Sequence, residues 1–415
     1  MSNDNFKAVG VHVFAGGFTA GVQKVFDVEH QLEVHGFGLE TAERMCGIKC
    51  INSAAKDWPH VDAQFAYGNP RCTGFSTITS GYSSDTHGAW AKQTCDVHEF
   101  ANYTAGRYDI AIWESVQQAY STGKELLDYL RDEIYVPKKY RVAHVFINAA
   151  TFGNSQQRRR YFFVAYRNDR NFNITPPRLD GFYYTPYHII YEDRDRPTRE
   201  FHNEEYDGDC YVRLTEDEKK TVEYLPNGWC FNVMGRYFLE GMSSTHQMLW
   251  RTRASPIPYS LHCPTRLNWL TRCPTLHSGC CRYIHPNHHR PITVREAAKL
   301  MGWPDVPIGK HPFAQIAKGV VPDVGTWLAE QARAYLNNEW AKEDWESSYN
   351  DRTAIWEGRQ CNGDIEKVFD LTRYVGHELG SYNLEQIQQH TLHDVKRRWE
   401  SDHGELLPQP RWWHK

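Results

Sequence analysis

Residues 8–14 (AVGVHVF) form an apolar run of strand length, a glycine-rich turn follows at 15–21 (AGGFTAG), and VQKVF then resumes at helical spacing. Strand, glycine turn and helix in that order are how a doubly wound parallel sheet opens. QLEVHGFG (31–38), VDAQFAYG (61–68) and YDIAIWES (108–115) read as further strands, and RVAHVFINA (141–149) with RRYFFVAYR (159–167) as a hairpin pair. GKELLDYLRDEI (123–134) and GTWLAEQARAYL (325–336) have apolar residues at helical spacing. Thr293 and Glu296 form a capping box before a helix that Pro304 closes. The pattern predicts an α/β fold with a Rossmann-like, doubly wound sheet.

Periodicity also suggests the domain limits. Residues 1–169 carry the clean strand and helix signals. Residues 170–265 lose them and are rich in Tyr, Asp, Arg and Pro, as expected of a smaller irregular domain. Residues 266–336 return to the pattern of the first domain. Residues 337–415 mix Trp, charge and helical stretches and are expected to form a helical C-terminal extension.

The chain has 415 residues, 40% of them apolar and 24% charged, an ordinary globular balance with ample core. Aromatics reach 14%, which a large core explains as well as a base-stacking surface does. A formal charge of −4 excludes a generic polyanion binder, so any nucleic-acid contact must come from local patches such as Arg158–Arg160 or Lys396–Arg398. The 11 Cys include no CxxC pair, and no apolar run reaches membrane-spanning length. Reduced thiols and a cytoplasmic location are the expectation. HSGCCRYIHPNHH (277–289) fits no standard zinc spacing, and no metal is expected.

Ligands on open α/β sheets gather at the carboxyl ends of the strands. The glycine loop lies there, and on its own it suits a nucleotide, a flavin or S-adenosylmethionine. Glu40, placed just past the second strand, is either a ribose-binding acid or a helix N-terminal one. The same edge receives Cys72, in GNPRCTGFS, and Glu114, in WESV. A buried free Cys is usually a small core hydrophobe. Paired with an acid, it matches one demanding reaction, substitution at carbon-5 of cytosine. A thiolate adding at carbon-6 makes carbon-5 nucleophilic, and a carboxyl at ring nitrogen 3 stabilises the charge that forms.

These residues resemble the DNA (cytosine-5)-methyltransferases over roughly 8–167 and 265–335. FAGGFTAG (14–21) is similar to that family's cofactor loop, GNPRCTGFS to its nucleophile loop, WESV to its Glu-Asn-Val element and FGNSQQRRRYFFVAYR (152–167) to its Gln-x-Arg-x-Arg element. RCPTLHSG, HPNHHRPITVREAAKLMGWPD and AQIAKGVVPDVG resemble its late elements, in the same order. The resemblance implies catalysis by Cys72, Glu114, Arg158 and Arg160. It implies a cofactor, S-adenosylmethionine, held by Phe14, Ala15, Gly16, Gly17, Phe18, Glu40, Asn52, Asn69, Pro70, Lys318 and Val320. Arg71, Ser76 and Gln156 would meet the substrate. The partner would be DNA, with RNA not excluded, and the target cytosine would flip out of the helix. Residues 170–265 would read its sequence, with Arg251, Arg253 and Arg266 on phosphates.

Several positions depart from the family pattern. Arg71 stands where Pro is usual, Thr73 where Gln is, Ser115 where Asn is, and Asn52 where an acid is. AKGVVP carries one extra residue, so Lys318 falls at an Asn position. A Lys there suits an acidic substituent, as in carboxy-S-adenosylmethionine, and Arg71 adds a second cation. Transfer of a carboxymethyl group is therefore the alternative to transfer of methyl. An amino-methyltransferase built on Asn69-Pro70, or a non-catalytic nucleic-acid binder, would not need Cys72.

Overall fold

A computed structural model of the chain describes residues 6–71, 75, 96–175, 177, 186–190, 222, 225, 227, 265–269, 272–276, 283–340, 355–356, 359–361 and 364–372. Ten strands make one sheet: β1 (Lys7–Val11), β2 (Asp27–Glu33), β3 (Cys50–Asn52), β4 (Phe65–Gly68), β5 (Ile110–Ser115), β6 (Tyr140–Asn148), β7 (Arg159–Arg167), β8 (Ile355–Trp356), β9 (Arg359–Cys361) and β10 (Asp364–Asp370). Their order is β8-β10-β6-β7-β5-β4-β1-β2-β3, with β9 added on β10. β1 to β5 pair in parallel, whereas β7 lies antiparallel between β5 and β6. The expected hairpin is present, in register from Tyr140↔Arg167 to Asn148↔Arg159.

Every residue of β4 and β5 is buried. Parallel strands covered on both faces need continuous apolar runs, which is what FAYG and IAIW supply. Trp113 of β5 stacks on Phe163 of β7 at 5.4 Å between ring centroids. Each fully buried side chain of this size stabilises the fold by roughly 1.5–3 kcal/mol. Strand order reverses between β1 and β4, both pairing with parallel neighbours, so their carboxyl ends border the crevice where such sheets bind ligands.

The chain divides into two compact units. One holds Met1–Asp180, Met301–Lys310 and Lys318–Gly376, including the whole sheet; the other holds Gly181–Leu300, His311–Ala317 and His377–Lys415. In the first unit, α1 (Gly17–Val22) begins inside the glycine turn rather than after it, and α2 (Leu39–Cys46) starts behind a left-handed Gly38. A third helix, α3, spans 96–104. In the second unit, α4 (Val294–Leu300) carries the capping box as read: the Thr293 amide donates to Glu296 Oε2 at 2.7 Å, and the Glu296 amide to Thr293 Oγ1 at 3.1 Å. α5 (Pro312–Lys318) ends on Lys318, where the chain returns to the first unit, and in that unit α6 (Pro322–Leu336) covers the predicted 325–336 segment.

Residues 337–415 differ from the expected helical extension. Their described part is β8, β9 and β10, and β10 pairs in parallel with β6. The reason is non-local. DIEKVFD mixes charged residues with Ile, Val and Phe and carries no clean period of its own, and β6 offers it an otherwise open row of backbone donors and acceptors.

Candidate active site

The loop after β1 is held in unusual backbone. His12 and Phe14 both have φ 54°, a left-handed conformation rare for non-glycine residues, and Gly16 follows at φ 83°. Such strain persists only where surroundings enforce it. Glu33, the last residue of β2, does so here. Its Oε2 accepts the Phe14 amide at 2.9 Å, and its Oε1 accepts the amides of Val34 (2.9 Å) and His35 (3.1 Å). Burial pushes the Glu33 carboxyl up, but the nearby His12 imidazole and these amides outweigh it and hold the group below its ordinary range.

Gly17 starts α1 against the loop before α6. A Cβ there would lie 2.3 Å from the Val320 carbonyl oxygen and 2.9 Å from Trp303 Nε1. The Trp303 indole donates to that same carbonyl at 3.1 Å. Glycine is required because the two backbones touch.

A cavity of about 290 Å³ opens at the carboxyl ends of β1, β2 and β4. Of the residues expected to hold a cofactor, Phe14, Asn69, Pro70 and Lys318 line it; Arg71, expected at the substrate, lines it too. Ala15, Gly16, Gly17 and Phe18 form the loop and helix start beside it, and Val320 packs under Gly17. Glu40 does not line it. It sits in the first turn of α2, half exposed, in an i,i+4 ion pair with Arg44. The acid facing the cavity is Glu33, because β2 ends five residues earlier than its apolar pattern suggested. Asn52 is exposed at the end of β3 and is absent from the lining. His12, Glu33, His35, Phe37 and Asp96 also line the cavity and were missed. Two His and a Glu at the ends of two strands were the available signal.

Glu114 lies near the end of β5 with 1% of its surface exposed. Asn69 Nδ2 donates to its Oε2 at 2.6 Å, and Arg160 Nε approaches its Oε1 at 2.8 Å. Burial raises its pKa despite the two guanidinium groups of Arg160 and Arg158. A carboxyl held in place and biased towards its protonated form can donate to a ring nitrogen or share a proton with it.

Arg158, expected on phosphate or the cytosine carbonyl, and Gln156, expected near the target base, are both buried. Arg158 is 1% exposed and donates through Nη2 to the Gly319 carbonyl at 2.7 Å, which anchors the turn that follows Lys318. Gln156 is fully buried, with its Nε2 at 3.4 Å from Met301 Sδ. Arg71 makes a bidentate ion pair with Asp96. Arg266, expected on phosphate, is also buried. It donates to the carbonyls of Val222, Leu225, His285, Pro286 and His288, tying a loop together. Cys72, Ser76, Arg251 and Arg253 lie outside the described residues.

A doubly wound sheet with an antiparallel β7 between β5 and β6, a glycine-turn cavity at the strand ends and a buried acid beside it define an α/β protein built to bind a nucleotide-like cofactor next to an acidic group. The family model for C-5 cytosine-specific DNA methylases matches residues 52–333. The chain is 23% identical over 313 residues to the type II methyltransferase M.DdeI of Desulfomicrobium norvegicum, covering 67% of this chain and 74% of that one. It is 26% identical over 246 residues, 57% of this chain and 65% of the other, to a Methanocaldococcus jannaschii protein assigned as a type II methyltransferase. Among solved structures it resembles an Escherichia coli prophage protein assigned as a DNA modification methyltransferase, with a TM-score of 0.52, 18% identity and coverage of 80% of this chain and 99% of that one. This chain belongs to the C-5 cytosine-specific DNA methylase family. It is a cytosine methyltransferase-like transferase.

Proposed function

We propose that this enzyme transfers a methyl group from S-adenosylmethionine to carbon-5 of a cytosine in DNA, through a temporary bond from Cys72 to carbon-6. The observation that carries the reading is Glu114, a buried carboxyl biased towards protonation and gripped by Asn69 and Arg160. Asn69 is three positions before Cys72 in the sequence, so one side chain links the acid to the segment bearing the thiol.

The cavity residues fit the cofactor. Phe14 and Phe37, with centroids 5.6 Å apart, offer aromatic surface, and Glu33 Oε2 accepts one amide and keeps capacity for a sugar hydroxyl. S-adenosylmethionine, when bound, supplies an electrophilic methyl carbon. The Cys72 thiolate adds to carbon-6 of the flipped base. Glu114 gives or shares a proton with nitrogen 3, and Arg160 holds that carboxyl in place. Carbon-5 would take the methyl as its bond to the sulfonium sulfur breaks, leaving S-adenosylhomocysteine. The carbon-5 proton would pass to water, and the Cys72 sulfur would leave as the ring double bond reforms and the nitrogen 3 proton returns to Glu114. Residues 170–265 read the DNA sequence in this scheme.

A specific observation favours a second reading. Lys318 and Arg71 line the same cavity as Glu33, so a cofactor bearing an extra carboxylate would meet a cation there. Carboxy-S-adenosylmethionine would deliver a carboxymethyl group by the same steps.

Expression in bacteria, digestion of DNA and RNA to nucleosides, and mass analysis of cytosines tests both. A methyl increment in DNA supports the first reading, and a heavier acidic increment the second. Unmodified cytosine in DNA, or modification that survives Cys72→Ser, refutes the covalent carbon-5 scheme.

A further inference from the structure

The histidine directly after β1 is out of keeping with its surroundings. His12 is 1% exposed, yet neither ring nitrogen has a hydrogen-bond partner among the described residues. Its backbone is held at φ 54°, and Trp58 packs edge-on against the ring at 5.1 Å, so the imidazole is fixed in orientation. A buried imidazole with both nitrogens unpaired costs free energy unless something else binds it.

Carboxylates surround it. His12 Nε2 is 3.8 Å from Glu99 Oε2, and Nδ1 is 3.7 Å from Glu33 Oε1. One ligand atom each from His12, Asp96 and Glu99 lie within 4.8 Å of one another. Separations near 3.8 Å are too long for hydrogen bonds. The His12–Glu99 separation of 3.8 Å is somewhat wider than the donor spacing across a metal ion, so the set would close up on binding. Bonds of about 2.0–2.2 Å at a tetrahedral angle hold two donors about 3.4 Å apart.

We propose that His12, Asp96 and Glu99 bind one divalent first-row metal ion, such as Zn²⁺ or Mn²⁺, at the edge of the cavity. One imidazole and two carboxylates suit these ions better than a soft or a strictly oxygen-seeking one. The bidentate pair with Arg71 does not compete. Beyond the two guanidinium bonds, Asp96 Oδ1 has the His35 Nε2 and Oδ2 the Arg71 amide only at 3.4 Å, long contacts that a metal ion would displace while the guanidinium orients the carboxylate as a partner behind a metal ligand does. The three carboxylates of Glu33, Asp96 and Glu99 lie around the His12 ring, while the cavity as a whole also holds Arg71, His35 and Lys318, so the dication is drawn to the His12 side of it. His12 and Asp96 line the cavity, so the remaining coordination positions open towards it. The inference does not depend on which group the enzyme transfers.

The test uses the full chain, stripped with a chelator and titrated with Mn²⁺ alone, followed by electron paramagnetic resonance. The expected result is one saturable Mn²⁺ per chain, displaced by Zn²⁺, with nitrogen modulation from a histidine ligand. Glu99→Gln should weaken binding at least ~10-fold. Glu99 is partly exposed, with 38% of its side chain accessible, so this variant is expected to fold even if His12→Gln does not. Absence of one-to-one binding, equal affinity in Glu99→Gln, or a spectrum without nitrogen modulation would overturn the site.

Discussion

Arg71 and Asp96, 25 positions apart, meet in a bidentate ion pair, with Nε at 2.6 Å from Oδ2 and Nη2 at 2.8 Å from Oδ1. The pair ties together the two ends of the segment that contains Cys72. Burial raises the Asp96 carboxyl, but the Arg71 guanidinium and the nearby imidazoles outweigh it and keep it below its usual value. A carboxyl depressed in this way adds stability above its unfolded pKa of about 3.9, and that contribution is lost as pH falls through the lower folded value. Thermal melts from pH 6 downward should therefore show an acid-side loss that Asp96→Asn removes. Half of the Arg71 side chain is exposed, so the neutral-pH cost of Asp96→Asn should be modest, about 1 kcal/mol. An unchanged acid slope in the variant would count against this role.

Glu114 is shifted the opposite way. Burial lifts its pKa, so the protonated form needed at nitrogen 3 survives above the ordinary carboxyl range and is lost as pH rises through the lifted value. Single-turnover rates should fall on the alkaline side with a limb belonging to this group. Glu114→Gln should slow transfer by roughly 10²–10⁴-fold, the usual worth of a positioned acid. A variant within tenfold of the parent enzyme would remove Glu114 from the chemistry.

Gly17→Ala forces a methyl group to within 2.3 Å of the Val320 carbonyl. Overpacking of this kind costs typically ~1–3 kcal/mol, and relief would have to come from the turn beside Lys318. The expected outcome is a lowered melting temperature together with weaker binding of S-adenosylhomocysteine by calorimetry. Normal binding with a normal melt would mean that the two backbones are not in contact.

Lys318→Asn separates the two readings of the transferred group. If the cofactor carries an extra carboxylate, loss of the cation should cut affinity for it by about tenfold or more, the worth of a charge-assisted bond of ~1.5–3 kcal/mol. Binding of S-adenosylmethionine should change little. Calorimetry with each cofactor measures the difference, and equal changes for both would dismiss selectivity by Lys318.

Local features were the legible ones. The β1–glycine–α1 opening, the Thr293–Glu296 capping box and the 325–336 helix depend on residues a few positions apart, and the structure has each of them. Boundaries were harder. β3 is three residues long, too short for any periodicity, and the extended pattern of 31–38 concealed that β2 stops at Glu33. That slip put Glu40 where Glu33 stands. Arg158 and Arg160 are two positions apart, yet one anchors Gly319 and the other meets Glu114, because tertiary partners choose what each guanidinium reaches. The Arg71–Asp96 pair joins positions 25 residues apart, and the His12 cluster brings His12 to Asp96 and Glu99 from more than 80 residues away, which no local pattern reveals.

The last strand to join the sheet sets a limit on how the protein can be shortened. β10 follows α6 in the chain but runs beside β6, where Leu371 also donates its amide to the Phe146 carbonyl at 2.7 Å. Lys367 reaches from it to the Phe172 carbonyl at 2.6 Å. A version ending at Leu336 would keep every family motif yet leave the flank of β6 bare, a template on which a second molecule could lay its own strand. Trimming to the motif-bearing core would exchange a covered edge for a sticky one.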